Sequence, residues 1–447
     1  MEKYINKTLK NGLKLLFIPM QNIEIVHIEL KILCGWEYEN TDTLESAHFL
    51  EHMLAKFTSK KYPDGKLNKY QLGKFGIYSN ASTLPQMTSY FLEGNKKHLD
   101  YMLDLIIHSY KDFLIDDSIF EQERKAIIQE LLAHQQEYEG ELFETIDKII
   151  YAKTDKKKVN IASRITNVKK LKQSDLIKFR NKFYSSRSSI LIIAGDFDYE
   201  STYKTIKNEL NIFDLLDFKP IEYPLVQLKN RKQKSYFIEN KNKNNVTLII
   251  LFFNKFNYFD KEYLYIPHVH NILTSGLSSR LNYKLRTELG LVYYIASEHT
   301  SNFDGVNYEL IQTEFDMAHM GEVLQNILEQ ISTIKKSYVH DDELEKSLNT
   351  LINSTLRENL IQTPDFIIDK ISIPILFNVP DFTFDYKYDI MKSIDIEIIK
   401  KTARRIFSRK NMYIFYESPI NLDKHIKTLL PDCKLFYVKN DIISKQK

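Results

Sequence analysis

His48-Phe49-Leu50-Glu51-His52 places two imidazoles and a carboxylate within five residues, and its neighbours decide how they are presented. Leu44, Ala47, Leu50, Met53 and Leu54 recur at helical spacing. Asp42, with Glu45 three residues later, reads as a capping-box-like start, so the stretch is predicted as a helix with an apolar stripe. His48 and His52 then stand one turn apart and can reach a single metal ion, while Glu51 projects beside them without being needed as a ligand. The stripe faces the core and the polar triplet faces a cavity. This is the minimal equipment of a zinc hydrolase.

Two histidines on a helix take a third ligand from elsewhere, and a carboxylate suits a metal that keeps one position open for water. Glu130 is the best candidate. It lies in a long helical pattern from Ser118 to about Ala152, opened by Ser118 with Glu121 three residues on and carrying Ile127, Ile128, Leu131 and Leu132. Glu123 stands two turns earlier on the same face, which suits one carboxylate on the metal and one behind it, restraining a ligand. His134, one turn after Glu130, also has ligand spacing and is expected at the cavity rim or on the surface.

Composition frames these residues. A chain of 447 residues with 43% hydrophobic content is long enough for two domains, each with its own core. The 62 basic and 59 acidic side chains nearly cancel, so the charge gives no reason to expect nucleic acid as a partner. Runs such as Lys156-Lys157-Lys158 read as solvated loops. Cys34 and Cys433 stand at opposite ends of the chain, which suits buried thiols in a reducing compartment rather than a disulfide framework. Met1-Glu2-Lys3-Tyr4-Ile5 lacks the apolar core of a signal peptide and soon meets a hairpin signal at Asn11-Gly12. The apolar run from Leu248 to Phe253 is too short to span a bilayer and reads as a buried strand. A soluble, cytoplasmic protein without membrane contact is expected.

A faint internal repeat runs along the chain. Phe183-Tyr184-Ser185-Ser186-Arg187 leads into Ile190 to Ile193, and Ile406-Phe407-Ser408-Arg409 leads into Met412 to Phe415, at an offset of 222 residues between the arginines. The same offset sets Val26, Ile28 and Leu30 beside Leu248, Ile250 and Phe252. Each copy reads as antiparallel strands followed by helices, an α+β pattern rather than a parallel βαβ series. The expected organisation is a zinc-binding domain over residues 1–216, a linker over 217–245 and a similar domain over 246–447. Carried across, His48 falls on His270, Glu51 on Leu273, His52 on Thr274 and Glu130 on Thr355, so the second copy has lost the metal residues. His268 and His270, two residues apart on a helix, point in different directions.

In these features the chain resembles the pitrilysin/insulinase zinc peptidases, the inverzincins, whose motif reverses the commoner His-Glu-x-x-His order. Lys10-Asn11-Gly12-Leu13, Ser79-Asn80-Ala81-Ser82-Thr83 and Gly290-Leu291-Val292-Tyr293 are similar to further landmarks of that family, in the same order. The resemblance covers most of the chain and matches the short, processing-peptidase-like form. It implies one Zn2+ per chain on His48, His52 and Glu130, with Glu51 as catalytic base and Glu123 as the supporting carboxylate of the catalytic site. It also implies a clamshell of two similar domains, each a mostly antiparallel sheet with helices packed on it, the second closing over the substrate. Arg286 and Tyr293 match an Arg followed seven residues later by a Tyr, which help to hold substrate in the family, and the strand carrying Asn80 and Ala81 matches the edge on which a peptide is laid out.

The function expected is a zinc endopeptidase that hydrolyses peptides or short unfolded polypeptides inside a closed chamber. The same ligands accept manganese or cobalt. Carrying both the metal residues and the Arg286/Tyr293 pair favours a self-sufficient chain, as a homodimer, or as a heterodimer with an inactive paralogue. The alternative is a catalytically silent structural or binding subunit of a processing-peptidase-like complex. Silent relatives typically lack part of the His-x-x-Glu-His set, and this chain keeps all of it.

Overall fold

Along Ile25–Ile32 the apolar Val26, Ile28, Leu30 and Ile32 alternate with His27, Glu29 and Lys31, the pattern of a strand whose two faces meet different surroundings. The computed structural model describes residues 4–136, 138–151, 161–210, 232–256, 260–301, 306–336, 339–360, 363–377, 384–439 and 442–445. By its internal contacts the chain divides into two units, Met1–Glu222 with Gln362–Asp381, and Tyr223–Ile361 with Phe382–Lys447.

The first unit holds a sheet of β1 (Ile5–Thr8), β2 (Lys14–Pro19), β3 (Ile25–Ile32), β4 (Tyr78–Thr83), β5 (Thr88–Asn95) and β6 (Ser189–Gly195), in the order β1-β2-β6-β3-β5-β4. Only β2 and β6 run parallel. The second holds β7 (Lys234–Glu239), β8 (Val246–Asn254), β9 (Val292–Thr300), β10 (Asn307–Phe315), β11 (Met412–Ser418), β12 (Lys434–Lys439) and β13 (Ile442–Lys445), ordered β13-β12-β7-β11-β8-β10-β9. Five strands, β2-β6-β3-β5-β4, recur as β7-β11-β8-β10-β9 with the same directions. The α+β fold of two similar units, each a mostly antiparallel sheet with helices on it, is therefore present, and the faint repeat is a repeat of topology. Of the stretch 217–245, residues up to 231 lie outside the described residues, and β7 pairs with both β11 and β12.

Register explains the two faces of β3. Lys31, Glu29 and His27 lie opposite Ile190, Ile192 and Ala194 of β6, so these six share one face. Over the apolar part of that face lies the helix Pro364–Phe377, whose Ile367, Ile368 and Leu376 pack against Leu16, Ile18, Ile190 and Ile192. Each such side chain taken fully out of water contributes about 1.5–3 kcal/mol. Lys31, buried, pairs with Asp369 of the same helix, so the charged row of β3 also helps to hold it.

Two helices carry the site. The His helix, Ser46–Leu54, buries Phe49, Leu50 and Met53 and packs against β4, β5 and the Glu helix, Asp117–Gln136. Phe49 stacks on Phe120 at 4.7 Å between ring centroids, fixing the crossing of the two helices. The cap differs from the sequence expectation. The chain enters the His helix through Glu45 in a left-handed conformation, φ 67°, and this turn brings Glu39 rather than Asp42 over the helix start. The Glu39 carboxylate accepts from the N–H groups of Glu45 (2.9 Å) and Ala47 (2.8 Å). The Glu helix is likewise capped by Asp116, which accepts from Ser118 and Ile119, instead of by Ser118. Past Gln136 a second helix, Tyr138–Tyr151, continues the pattern, while Ala152 lies outside the described residues.

Both cysteines are buried and unpaired. Burial pushes both thiols up, Cys433 to about 12, which marks them as inert core residues. No described helix is long and apolar enough to cross a membrane.

Candidate metal centre

His48 Nε2 and His52 Nε2 stand 3.1 Å apart, and Glu130 Oε2 lies 3.3 Å from the first and 3.4 Å from the second. Ligand bonds of about 2.0–2.1 Å at tetrahedral angles set neighbouring donors roughly 3.3 Å apart, so the three atoms form one face of a zinc-sized tetrahedron. Among the described residues, His48, His52 and Glu130 are the group with ligand atoms so gathered. The helix pair makes this possible: one turn of the His helix spaces the two rings, and the packed Glu helix brings Glu130 across to them.

Each ring is also fixed at its other nitrogen. His48 Nδ1 lies 2.9 Å from Glu45 Oε2, and His52 Nδ1 lies 2.8 Å from Glu123 Oε2. A carboxylate accepts, so each Nδ1 carries the proton and each Nε2 presents a lone pair, the tautomer a metal needs. Behind each carboxylate stands a cation. Arg164 bonds Glu45 Oε1, and Lys56 Nζ lies 2.6 Å from Glu123 Oε1.

Burial would raise Glu45 and Glu123, but the ring and cation beside each outweigh it and hold both carboxyls below their usual range. Burial would lower His48; its hydrogen bond to Glu45 and the charges of Glu45, Glu51 and Glu130 raise it instead. Glu39 feels the same Arg164 only weakly. Burial and then the nearby Glu45 push it up to about 8, against the pull of the two N–H groups it caps.

Glu51, half-buried on the His helix, takes no part in these pairs and is close enough to His48 to act on its charge. The donor set thus separates into three side chains placed to hold a metal, two carboxylates that orient the rings and one carboxylate outside these pairs. Asn80 and Ala81 lie on β4, the last strand of the first sheet, opposite Phe91 and Tyr90 of β5. Alternate residues of β4 are exposed, Asn80 among them, and the His helix packs against this strand. Lys69 donates to Ser79 Oγ at 2.8 Å and steadies the same strand. Burial, with Lys56 nearby, lowers it to about 8. The side chain of His134 lies outside those described.

The second unit is built differently. Arg286 lies in a π-helical turn, Asn282–Glu288, and its guanidinium sits 5.2 Å over the ring of Tyr293, which is 81% exposed. Gly290, at φ 64°, makes the left-handed step between that turn and β9. His270 Nε2 is 2.6 Å and His299 Nδ1 2.7 Å from the two oxygens of Glu309, hydrogen-bond contacts shorter than the spacing of shared metal ligands. His268 turns instead to Ser347 Oγ at 3.0 Å, so the two neighbouring histidines do face apart. Thr355 gives its hydroxyl to Leu351 O in its own helix.

By spacing alone Glu45 reads as a capping partner, and the roles of Lys56 and Arg164 become visible in the fold. Glu45 stands three residues before His48 and Lys56 four after His52, so helical spacing could have flagged both. Arg164, 116 residues beyond His48, gives no local signal.

Comparison with known proteins points the same way. Residues 17–162 match the family model described as Insulinase (Peptidase family M16), and residues 170–351 match the one described as Peptidase M16 inactive domain. A Rickettsia felis protein named uncharacterized zinc protease is 26% identical over 419 residues, 91% of this chain and 96% of the relative. Zinc protease PqqE of Helicobacter pylori is 22% identical over 347 residues, 77% of each chain. The crystal structure of a protease from Helicobacter pylori matches with a TM-score of 0.79 at 18% identity, covering 94% of this chain and all of that one, a likeness of fold.

Proposed function

The chain belongs to the insulinase family of peptidases, family M16, and from that premise we propose that it is a zinc-dependent endopeptidase acting on peptides or short unfolded polypeptides. The observation that carries this reading is the tetrahedral spacing of His48 Nε2, His52 Nε2 and Glu130 Oε2 beside an uncommitted Glu51. His48, His52 and Glu130 would hold a zinc ion, which would supply a Lewis acid and lower the pKa of water toward about 7.

The remaining work falls to the chain itself. Glu51 takes the proton of the attacking water at its carboxylate and returns it to the departing amine. Glu123 and Glu45 keep the two rings in the tautomer that leaves Nε2 free. The outer edge of β4 offers backbone groups on which an extended substrate adds as a further strand, aligned by Asn80 and Ala81. Arg286 and the exposed Tyr293 offer donors to substrate carbonyls. We take the chain to be self-sufficient, working as a homodimer. A silent structural subunit has no use for a converged ligand set with a spare carboxylate, which is why the enzyme reading is preferred.

The test is hydrolysis of a quenched fluorescent peptide library by wild type and Glu51→Gln, with zinc determined for both. Both should hold about one zinc per chain, and the variant should lose about 10²–10⁴-fold in rate. Wild type that holds zinc and cleaves no peptide would overturn self-sufficiency, and wild type that holds no zinc would hand the case to the silent subunit.

A further inference from the structure

Glu45 is one of three residues other than glycine at positive φ among the described residues, and it directly precedes the His helix. A side chain in that conformation crowds its own backbone, so a residue that served only to start the helix would be glycine. Nor does Glu45 cap the helix with its side chain, since Glu39 accepts from the free N–H groups there. Its carboxylate is instead buried, with Oε2 on His48 Nδ1 at 2.9 Å and Oε1 on Arg164. Strain and burial are both tolerated here for contacts to the His48 ring and to the guanidinium behind it.

Arg164 belongs to the helix Ile161–Lys170, which braces both metal-bearing elements. Asn167 Nδ2 donates to Leu44 O at 2.6 Å, beside the turn at Glu45. From the Glu helix, Arg124 bonds Val168 O and, at 2.8 Å, Leu171 O. The bracing helix therefore fixes Arg164, Arg164 fixes Glu45, and Glu45 fixes the ring whose Nε2 faces Glu130.

We propose that Glu45, held by Arg164, is a positioning residue that sets the tautomer and orientation of His48 and thereby the zinc affinity of the site, at the expense of an unstrained helix start. The inference rests on the reading of the site as a zinc centre. Zinc affinity, by competition with a chromophoric chelator, and the melting temperature of the metal-free protein are measured for wild type, Glu45→Gly, Glu45→Gln and Arg164→Met. The absorption spectrum of the Co2+-substituted proteins reports ring geometry.

Glu45→Gly should melt no lower than wild type without metal yet bind zinc about 10–100-fold more weakly, with an altered Co2+ spectrum. Glu45→Gln, which keeps an acceptor but not the charge, should fall between, and Arg164→Met should weaken binding several-fold. Should the glycine variant fail to fold, Glu45→Gln carries the test by itself. Variants that bind zinc as tightly as a zinc-binding wild type overturn the inference alone. A wild type that binds no zinc overturns the reading beneath it.

Discussion

Lys56 is no ligand, yet its ammonium, 2.6 Å from Glu123 Oε1, holds the carboxylate that orients His52. Lys56→Met keeps the stem and removes the charge, so zinc affinity should fall several-fold while kcat at saturating zinc stays near wild type. A fall in kcat with zinc affinity unchanged would place Lys56 against substrate instead. The clustering of His48 with His52 was legible because one turn of helix imposes a spacing that survives in the sequence. Glu130 was legible by its helical face, on the longer pattern carrying Ile127 and Leu131. What lay beyond reading was how Glu45 is used: its role depends on a left-handed turn, and a turn against the usual conformational preference of glutamate leaves no pattern to read.

Elements show a similar division. Strands were readable where alternation is strict, as in β3, or where a short apolar run is bounded by polar residues, as in β8, and both helix caps were misjudged because the capping carboxylates, Glu39 and Asp116, sit upstream of the residues that local spacing suggested. The helix Pro364–Phe377 was the least visible of all. It lies in the second half of the sequence, yet it groups with the first unit and packs on β6. Ile368, wholly buried in that contact, gives the test. Ile368→Ala should cost about 2–5 kcal/mol, seen as a lower denaturation midpoint and as faster amide exchange in β6 and β2. Faster exchange confined to the second sheet would contradict the packing.

At the scale of the whole molecule the two units answer to different chemical signals. If the first unit holds the proposed zinc, a metal that binds only the native state would add about 4 kcal/mol at a free concentration of 1,000 Kd, and chelation should then loosen the His and Glu helices. In the second, His268 is wholly enclosed, and burial lowers it to about 4. Its folded pKa lies below the unfolded value of about 6.5, so between these limits the unfolded chain binds more protons than the native one. The stability this provides is complete above pH 6.5 and is lost as pH falls toward 4, on the order of 3 kcal/mol in all. Glu309 adds to the acid limb only lower down: burial would raise it, but His270 and His299 outweigh that and hold it below the usual carboxylate range. Within the second unit the window between pH 6.5 and 4.5 is therefore assigned to His268, whereas in the first Glu39, pushed up to about 8, acts in the opposite sense. Amide exchange across Ile266–Thr274, followed with urea midpoints from pH 7 to 4.5, should show protection falling in wild type and staying level in His268→Gln, whatever the effect of the substitution at neutral pH. An acid limb of equal steepness in both proteins would move the source of acid sensitivity away from this histidine.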